Sequence, residues 1–155
     1  WMLYICGGDV TNELAKLGYK IPSNIIDCGF VNVNSERFCQ LVRECTFSVL
    51  PSCSEGASTS TITCMYHGLI PIISRECGLN DFSSGCIFFE DCSVDGIEKT
   101  LENIIYLPEK EKEKLINNGI KIVKDNFMLD AFTKRFNEIM EQIAKNENSS
   151  KEGSA

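Results

Sequence analysis

Histidine is almost missing from this sequence, Cys-x-x-Cys pairs are missing altogether, and no apolar run is long enough to span a membrane. His67 is the single imidazole, so the usual mixed Cys/His zinc sites are nearly excluded despite nine cysteines. An odd cysteine count without paired spacing also argues against a disulfide framework. Reduced structural thiols in a cytoplasmic protein are expected, with Cys6, Cys28, Cys45 and Cys64 inside apolar segments and Cys39, Cys53 and Cys92 more exposed. The longest uncharged apolar stretch, Cys64 to Ser74, is interrupted by His67, Gly68 and Pro71, well short of the ~20 residues a span needs. No basic segment leads into an apolar run near Trp1, so no signal peptide is read, and the chain is expected to have an upstream part. Basic residues are also outnumbered: 15 Lys and Arg against 22 Asp and Glu give a net charge of −7. A general nucleic-acid surface, which needs clustered cations, is thereby excluded. An anionic ligand would have to be held by local backbone donors or a few cations.

What is present fits one compact domain of 155 residues, 43% hydrophobic and 24% charged. Short apolar runs alternate with helix-like segments. Trp1–Cys6 reads as a buried strand ended by Gly7-Gly8, followed by a helix with Asp9 as its cap and Val10, Leu14 and Leu17 on one face. Ile25–Cys28 is a second strand, and Asn34 or Ser35 caps a helix through Phe38, Leu41, Val42 and Cys45. Thr46–Leu50 is a third strand, Ser58–His67 a helix stopped by Gly68, and Ile70–Ser74 a fourth strand. A polar loop over 75–86 leads to a short strand, Ile87–Phe89. The remainder is helical, broken at Pro108, with apolar positions at Ile97, Leu101, Leu115, Ile122, Phe132, Phe136, Ile139 and Ile143. Such alternation predicts an α/β fold, a Rossmann-like parallel sheet covered by helices on both faces. Residues 1–145 are expected to form one domain and 146–155 a polar, disordered tail.

Ligands of parallel sheets bind where strands end and helices begin. Four such joints occur: Gly7-Gly8-Asp9, Gly29-Phe30, Ser52–Ser58 and Ser74–Gly78. The third carries most information. Gly56 and Ala57 have almost no side chain, so a ligand can approach the backbone. The amides that open the next helix, near Ala57–Ser60, lack internal partners and sit at its positive end, which suits a phosphate or diphosphate. Glu55 would repel phosphate and is better placed to accept hydrogen bonds from sugar hydroxyls. On composition alone the joint is equally compatible with an ordinary capped helix.

The block Pro51-Ser-Cys-Ser-Glu-Gly-Ala-Ser-Thr-Ser-Thr-Ile-Thr-Cys-Met-Tyr-His-Gly-Leu-Ile-Pro-Ile-Ile-Ser74 resembles the signature of the group 1 (family 4) retaining glycosyltransferases. That signature runs Pro-Ser, Glu-Gly, a helix containing a methionine, then Gly-x-Pro-Val/Ile-Ile and a small residue. Trp1–Gly8, Ile25–Phe30 and Val42–Leu50 resemble the pieces that precede it, so the likeness spans Trp1 to Gly85. The resemblance implies the donor-binding, C-terminal half of a glycosyltransferase-B fold. It implies that Glu55 contacts the donor sugar as the catalytic-site carboxylate, that the amides of Gly56, Ala57, Ser58 and Thr59 hold the diphosphate, and that the loop of Gly29 and Phe30 faces the nucleobase. For Phe30, simple packing is preferred to stacking on the base. The family's second glutamate, which meets the ribose, falls at Thr63. This shorter, uncharged residue can offer only a weaker contact, which leaves altered donor preference or lost activity open. The family's phosphate-neutralising Arg and Lys are expected upstream of Trp1.

The expected function is therefore donor binding in an enzyme that moves a sugar from a nucleoside-diphosphate sugar to a hydroxyl acceptor with retention. The isolated chain should show little transfer. No metal or other cofactor is expected, since no carboxylate cluster marks a magnesium site. The partners are the nucleotide sugar and a missing N-terminal domain, through which any peripheral membrane association would run. The rival is a non-catalytic nucleotide-sugar-binding or assembly domain. An epimerase ranks last, because His67, at a helix end, is poorly placed as an acid or base. Arg75 is read as an exposed ion pair with Glu76.

Overall fold

Apolar runs bounded by Gly and Pro become short parallel strands, as the alternation predicts. The computed structural model describes the backbone of residues 1–152 and the side chains of residues 1–145. The chain folds as two compact units, Trp1–Thr46 and Phe47–Ala155.

In the first unit, strand β1 (Leu3–Cys6) pairs in parallel with β2 (Ile25–Gly29), setting Leu3 opposite Ile25 and Ile5 opposite Asp27. Helix α1 (Val10–Lys16) lies between them in sequence, its cap Asp9 accepting the Asn12 amide at 3.1 Å. Of the two candidate caps for α2 (Glu36–Glu44), Ser35 takes the role and accepts the Phe38 amide at 3.2 Å. β1 is less buried than its composition predicts: Leu3 is 43% exposed and Cys6 is exposed. Apolar composition fixes a strand's existence but not what covers it.

In the second unit, β3 (Phe47–Leu50), β4 (Ile70–Ile73) and β5 (Ile87–Phe88) form a parallel sheet in the order β3-β4-β5. β4 is central and wholly buried, which explains its unalternating Ile-Pro-Ile-Ile sequence. Pro71 is tolerated because β5 pairs only with Ile72 and Ile73, beyond it. Successive side chains of β4 serve opposite faces. Ile73 packs with Met65 of α3 (Thr59–Tyr66) and Val123 of α5 (Glu109–Asn126), while Ile72 packs with Phe89 and Ile104 of α4 (Val94–Ile105). Helices therefore cover both faces of this sheet. Each of these fully buried apolar side chains contributes about 1.5–3 kcal/mol relative to exposure.

The segment read as a polar loop is two 3₁₀ turns, Arg75–Cys77 and Asn80–Gly85, and it supplies Cys77 and Leu79 to the core. Helix α5 lies against it closely. A Cβ on Gly85 would come within 3.0 Å of Gly119 Cα, and Asn118 Nδ2 donates to the Ser84 carbonyl at 2.9 Å. Helix α6 (Leu129–Glu152) carries the expected apolar spacing, but Leu129, Phe132, Phe136, Ile139 and Ile143 are exposed rather than core residues. It enters the segment read as a tail; the side chains of 146–155 and the backbone of 153–155 lie outside the described residues. All nine cysteines are free thiols. Among the described residues no helix is long and apolar enough to cross a membrane.

Candidate functional site

The loop leaving β3 is tied down along its carbonyl side. The Ser74 hydroxyl donates to the Ser52 carbonyl, the Ser74 amide to Leu50 at 3.3 Å, and the Glu55 amide to the Glu76 carbonyl at 3.0 Å. Gly78 completes the clamp. Its φ of +70° is a left-handed turn, and a Cβ there would stand 1.9 Å from the Gly56 carbonyl oxygen. Only glycine meets both demands. The loops after β3 and β4 are thus one assembly, with the β4 side holding the β3 side in place.

Past this clamp, Ser58 caps α3. Its hydroxyl accepts the Thr61 amide at 3.3 Å, and Ser58 is buried. The amides of Gly56, Ala57, Thr59 and Ser60 have no protein acceptor among the described residues. Ala57, Thr59 and Ser60 are exposed, so the opening of α3 is accessible. Free donors at a helix start carry partial positive charge toward any anion that approaches. Glu55 is exposed beside them and forms no ion pair among the described residues. Thr63 is one turn further along α3. Its hydroxyl donates to the Thr59 carbonyl at 2.8 Å, which consumes its only proton and leaves lone pairs alone for a ligand.

His67 is the C-cap residue of α3, its amide reaching the Thr63 and Cys64 carbonyls and its ring set edge-on to Tyr66 at 5.6 Å. Its place is the opposite end of α3 from the Ser58 cap, a rise of about 12 Å from Thr59 to His67 at 1.5 Å per residue. It is thus set away from the amides that open the helix.

In the first unit, the other predicted residues sit on a turn. Gly29 has φ +58°, its amide donates to Asp27 Oδ1 at 3.0 Å, and its carbonyl accepts the Gly7 amide at 2.8 Å. Phe30 is 83% exposed, so the preferred expectation of simple packing does not hold within this unit. Asp27 was not singled out by the sequence. Its Oδ2 accepts the Thr11 amide at 2.7 Å and the Thr11 hydroxyl at 2.8 Å. Those bonds, the Gly29 amide foremost, hold its carboxyl below the ordinary range. Asp27 and Asp9 together occupy the start of α1, so the Gly7-Gly8-Asp9 joint already serves the chain's own carboxylates.

A cleft of about 320 Å³ opens at the carboxyl ends of β3, β4 and β5, lined by Cys53, Arg75, Glu76, Glu90 and Cys92 among others. Glu55 does not line it, although Cys53 and Glu76 on either side of its tether do. Arg75 lies over the Phe88 ring, 5.0 Å from the centroid, in place of the expected pair with Glu76. Glu90 is bridged by Lys99 at 2.8 Å, and Asp91 Oδ1 accepts the Ser93 hydroxyl and, at 2.8 Å, the Ser93 amide; these bonds, the hydroxyl foremost, hold its carboxyl low. Both carboxylates are committed to structure. Among the described residues no group of three His, Cys, Asp or Glu is arranged to hold a metal ion.

No protein-family model and no curated protein matches the sequence. Solved structures do. The chain is similar to sucrose-phosphate synthase from Thermosynechococcus elongatus, with a TM-score of 0.73 and 17% identity over 94% of this chain and 39% of that one. It is also similar to the catalytic domain of starch synthase IV from Arabidopsis thaliana, a structure bound to ADP and acarbose, with a TM-score of 0.62 and 16% identity over 86% of this chain and 29% of that one. The chain spans well under half the length of either. At this identity the likeness establishes the fold: a Rossmann-like α/β domain of the glycosyltransferase-B type.

Proposed function

We propose that this chain is the donor-binding domain of a group 1 (family 4) retaining glycosyltransferase, taking a nucleoside-diphosphate sugar and serving transfer to a hydroxyl acceptor. The observation that carries the proposal is the opening of α3: the accessible, unpartnered amides of Gly56, Ala57, Thr59 and Ser60 on a loop clamped by Gly78 and Ser74. In this assignment those amides take the diphosphate and Glu55 takes the sugar hydroxyls. Within the second unit Thr63 offers lone pairs to the ribose; in the first unit the resemblance alone makes Gly29 and the exposed Phe30 the candidates for the base. Catalysis is positioning of the donor together with stabilisation of the departing diphosphate, whose charge falls on preorganised donors. Backbone amides and cations supplied by the rest of the protein carry that charge, and no metal is required. The acceptor site belongs to a further domain, which is why the chain alone should transfer little.

A second reading has one specific observation behind it. The Thr63 hydroxyl is spent on its own helix, so the ribose contact of the family is weakened, as in a non-catalytic domain that retains the fold. The two readings separate in the full-length protein. Calorimetry with common nucleotide sugars should give saturable binding, and Glu55→Gln should lower transfer by about 10²-fold while leaving the fold intact, since Glu55 is exposed. Binding without any transfer would favour a non-catalytic binding domain; no binding to any common nucleotide sugar would overturn the donor-binding proposal and favour the assembly reading.

A further inference from the structure

The sheet of the second unit has two edges, and they differ in kind. β5, at one edge, is two residues long, and shortness is one way natural sheets blunt an exposed edge. β3, at the other, has β4 on one side and no strand on its far side among the described residues. Phe47-Ser-Val-Leu50 carries no charge and no proline, and it pairs with β4 without a break in register. It therefore lacks the residues and bulges that guard a true edge. The Leu50 carbonyl accepts the Ser74 amide, so the polar backbone groups of Leu50 turn toward β4. Both groups of a residue in a parallel strand point the same way, and the direction alternates along the strand. The N–H and C=O of Val49 thus face the open side, where they meet no partner among the described residues. Val49 is 38% exposed, and Ser48 beside it has a buried hydroxyl without a hydrogen-bond partner among the described residues. An apolar strand with an orphaned polar atom is one whose surroundings are incomplete. We propose that β3 is an interior strand of the full-length protein: an extended apolar segment preceding Trp1 pairs along it in parallel.

Orientation and order select this occupant. Every strand pair in the molecule is parallel, and sheets tend to stay of one kind. A second copy meeting the first through a two-fold axis at this edge would pair antiparallel. In doubly wound sheets the order 3-2-1-4-5-6 seats the first strand in sequence beside the fourth. Here the two units have the orders β1-β2 and β3-β4-β5, matching 3-2 and 4-5-6, so the neighbour that β3 lacks is earlier in sequence than β1. The chain spans well under half of the synthases it is similar to, which leaves ample sequence to supply that strand. Because the pairing is parallel, the carboxyl end of the incoming strand emerges beside the Ser52–Ser58 loop. Residues that follow it can then reach the opening of α3. The proposal rests on the fold and not on the donor assignment.

The test is amide hydrogen exchange in the full-length protein, followed by amide NOEs from Val49. The Val49 amide should exchange within about tenfold of Ile72, which lies in the buried central strand. That protection should not change on dilution, and the NOEs should run to apolar residues preceding Trp1 in the staggered pattern of a parallel pair. Exchange at Val49 about 10²-fold faster than at Ile72 would overturn the proposal, since that is the behaviour of an open edge. Protection lost on dilution, or NOEs to a helix or an antiparallel strand, would overturn it as well. None of these outcomes bears on the amides that open α3, so failure here would leave the donor-binding assignment untouched.

Discussion

At the scale of single residues, Gly78 is the position on which the candidate site depends most. It combines a left-handed φ with a backbone contact that admits no side chain. Gly78→Ala must either strain its own backbone or displace Gly56, at a cost of about 1–3 kcal/mol. Thermal unfolding should show that loss, and donor affinity should fall with it while Gly68→Ala, far from the loop, leaves affinity unchanged. Asp27 gives a pH signature instead. Its carboxyl is held below the ordinary value of 3.8 by the Gly29 and Thr11 donors. A lowered carboxylate stabilises the fold above 3.8, and that stabilisation is lost as pH falls through the folded value. Denaturation titrations should show stability declining with acid below about pH 4, and Asp27→Asn should flatten that decline. The Glu55-Gly56 loop was legible because strand, small residues and helix follow one another locally. Gly78 against Gly56 and Asp27 against Thr11 were not, since both depend on segments that meet only after folding. Arg75 on Phe88 escaped for the same reason, with Glu76 the nearer candidate along the chain.

At the scale of elements, apolar runs and caps placed the strands and most helices to within a residue or two, while α6 continues to Glu152, past the expected end of the domain at residue 145. Ser35, one of two candidate caps, and Gly68 act as expected, the latter ending α3 with φ +87°, whereas Ser58, read as the first helical residue, is the cap. Burial was the harder inference. Apolar spacing is the same whether a face is covered or not, so α6 reads like α5, yet its Phe132 and Phe136 are exposed. The 75–86 segment erred in the opposite sense, because isolated Cys77 and Leu79 among polar residues give no periodic signal although both are core. The seam between this segment and α5 admits a direct test. Gly85 and Gly119 approach so closely that a methyl on Gly85 would meet Ile122 Cδ1 at 2.8 Å. Gly85→Ala should destabilise the second unit by about 1–3 kcal/mol through overpacking, read as a lower Tm. A stability equal to that of the unsubstituted protein would mean that α5 is not seated there.

At the scale of the whole chain, the Rossmann-like α/β fold and the acidic net charge bear on the same question. A chain carrying −7 cannot draw in a nucleoside diphosphate through its overall field, so any affinity must come from short-range donors. The unpartnered amides at the start of α3 are the feature of the second unit that meets this need, and the clamp beneath them supplies preorganisation. Titration of the isotopically labelled protein with a nucleoside diphosphate, followed by amide NMR, tests this directly. Saturable shifts at Gly56, Ala57, Thr59 and Ser60, stronger than elsewhere in residues 47–152, are the predicted result. Saturation with those four resonances unmoved would contradict it.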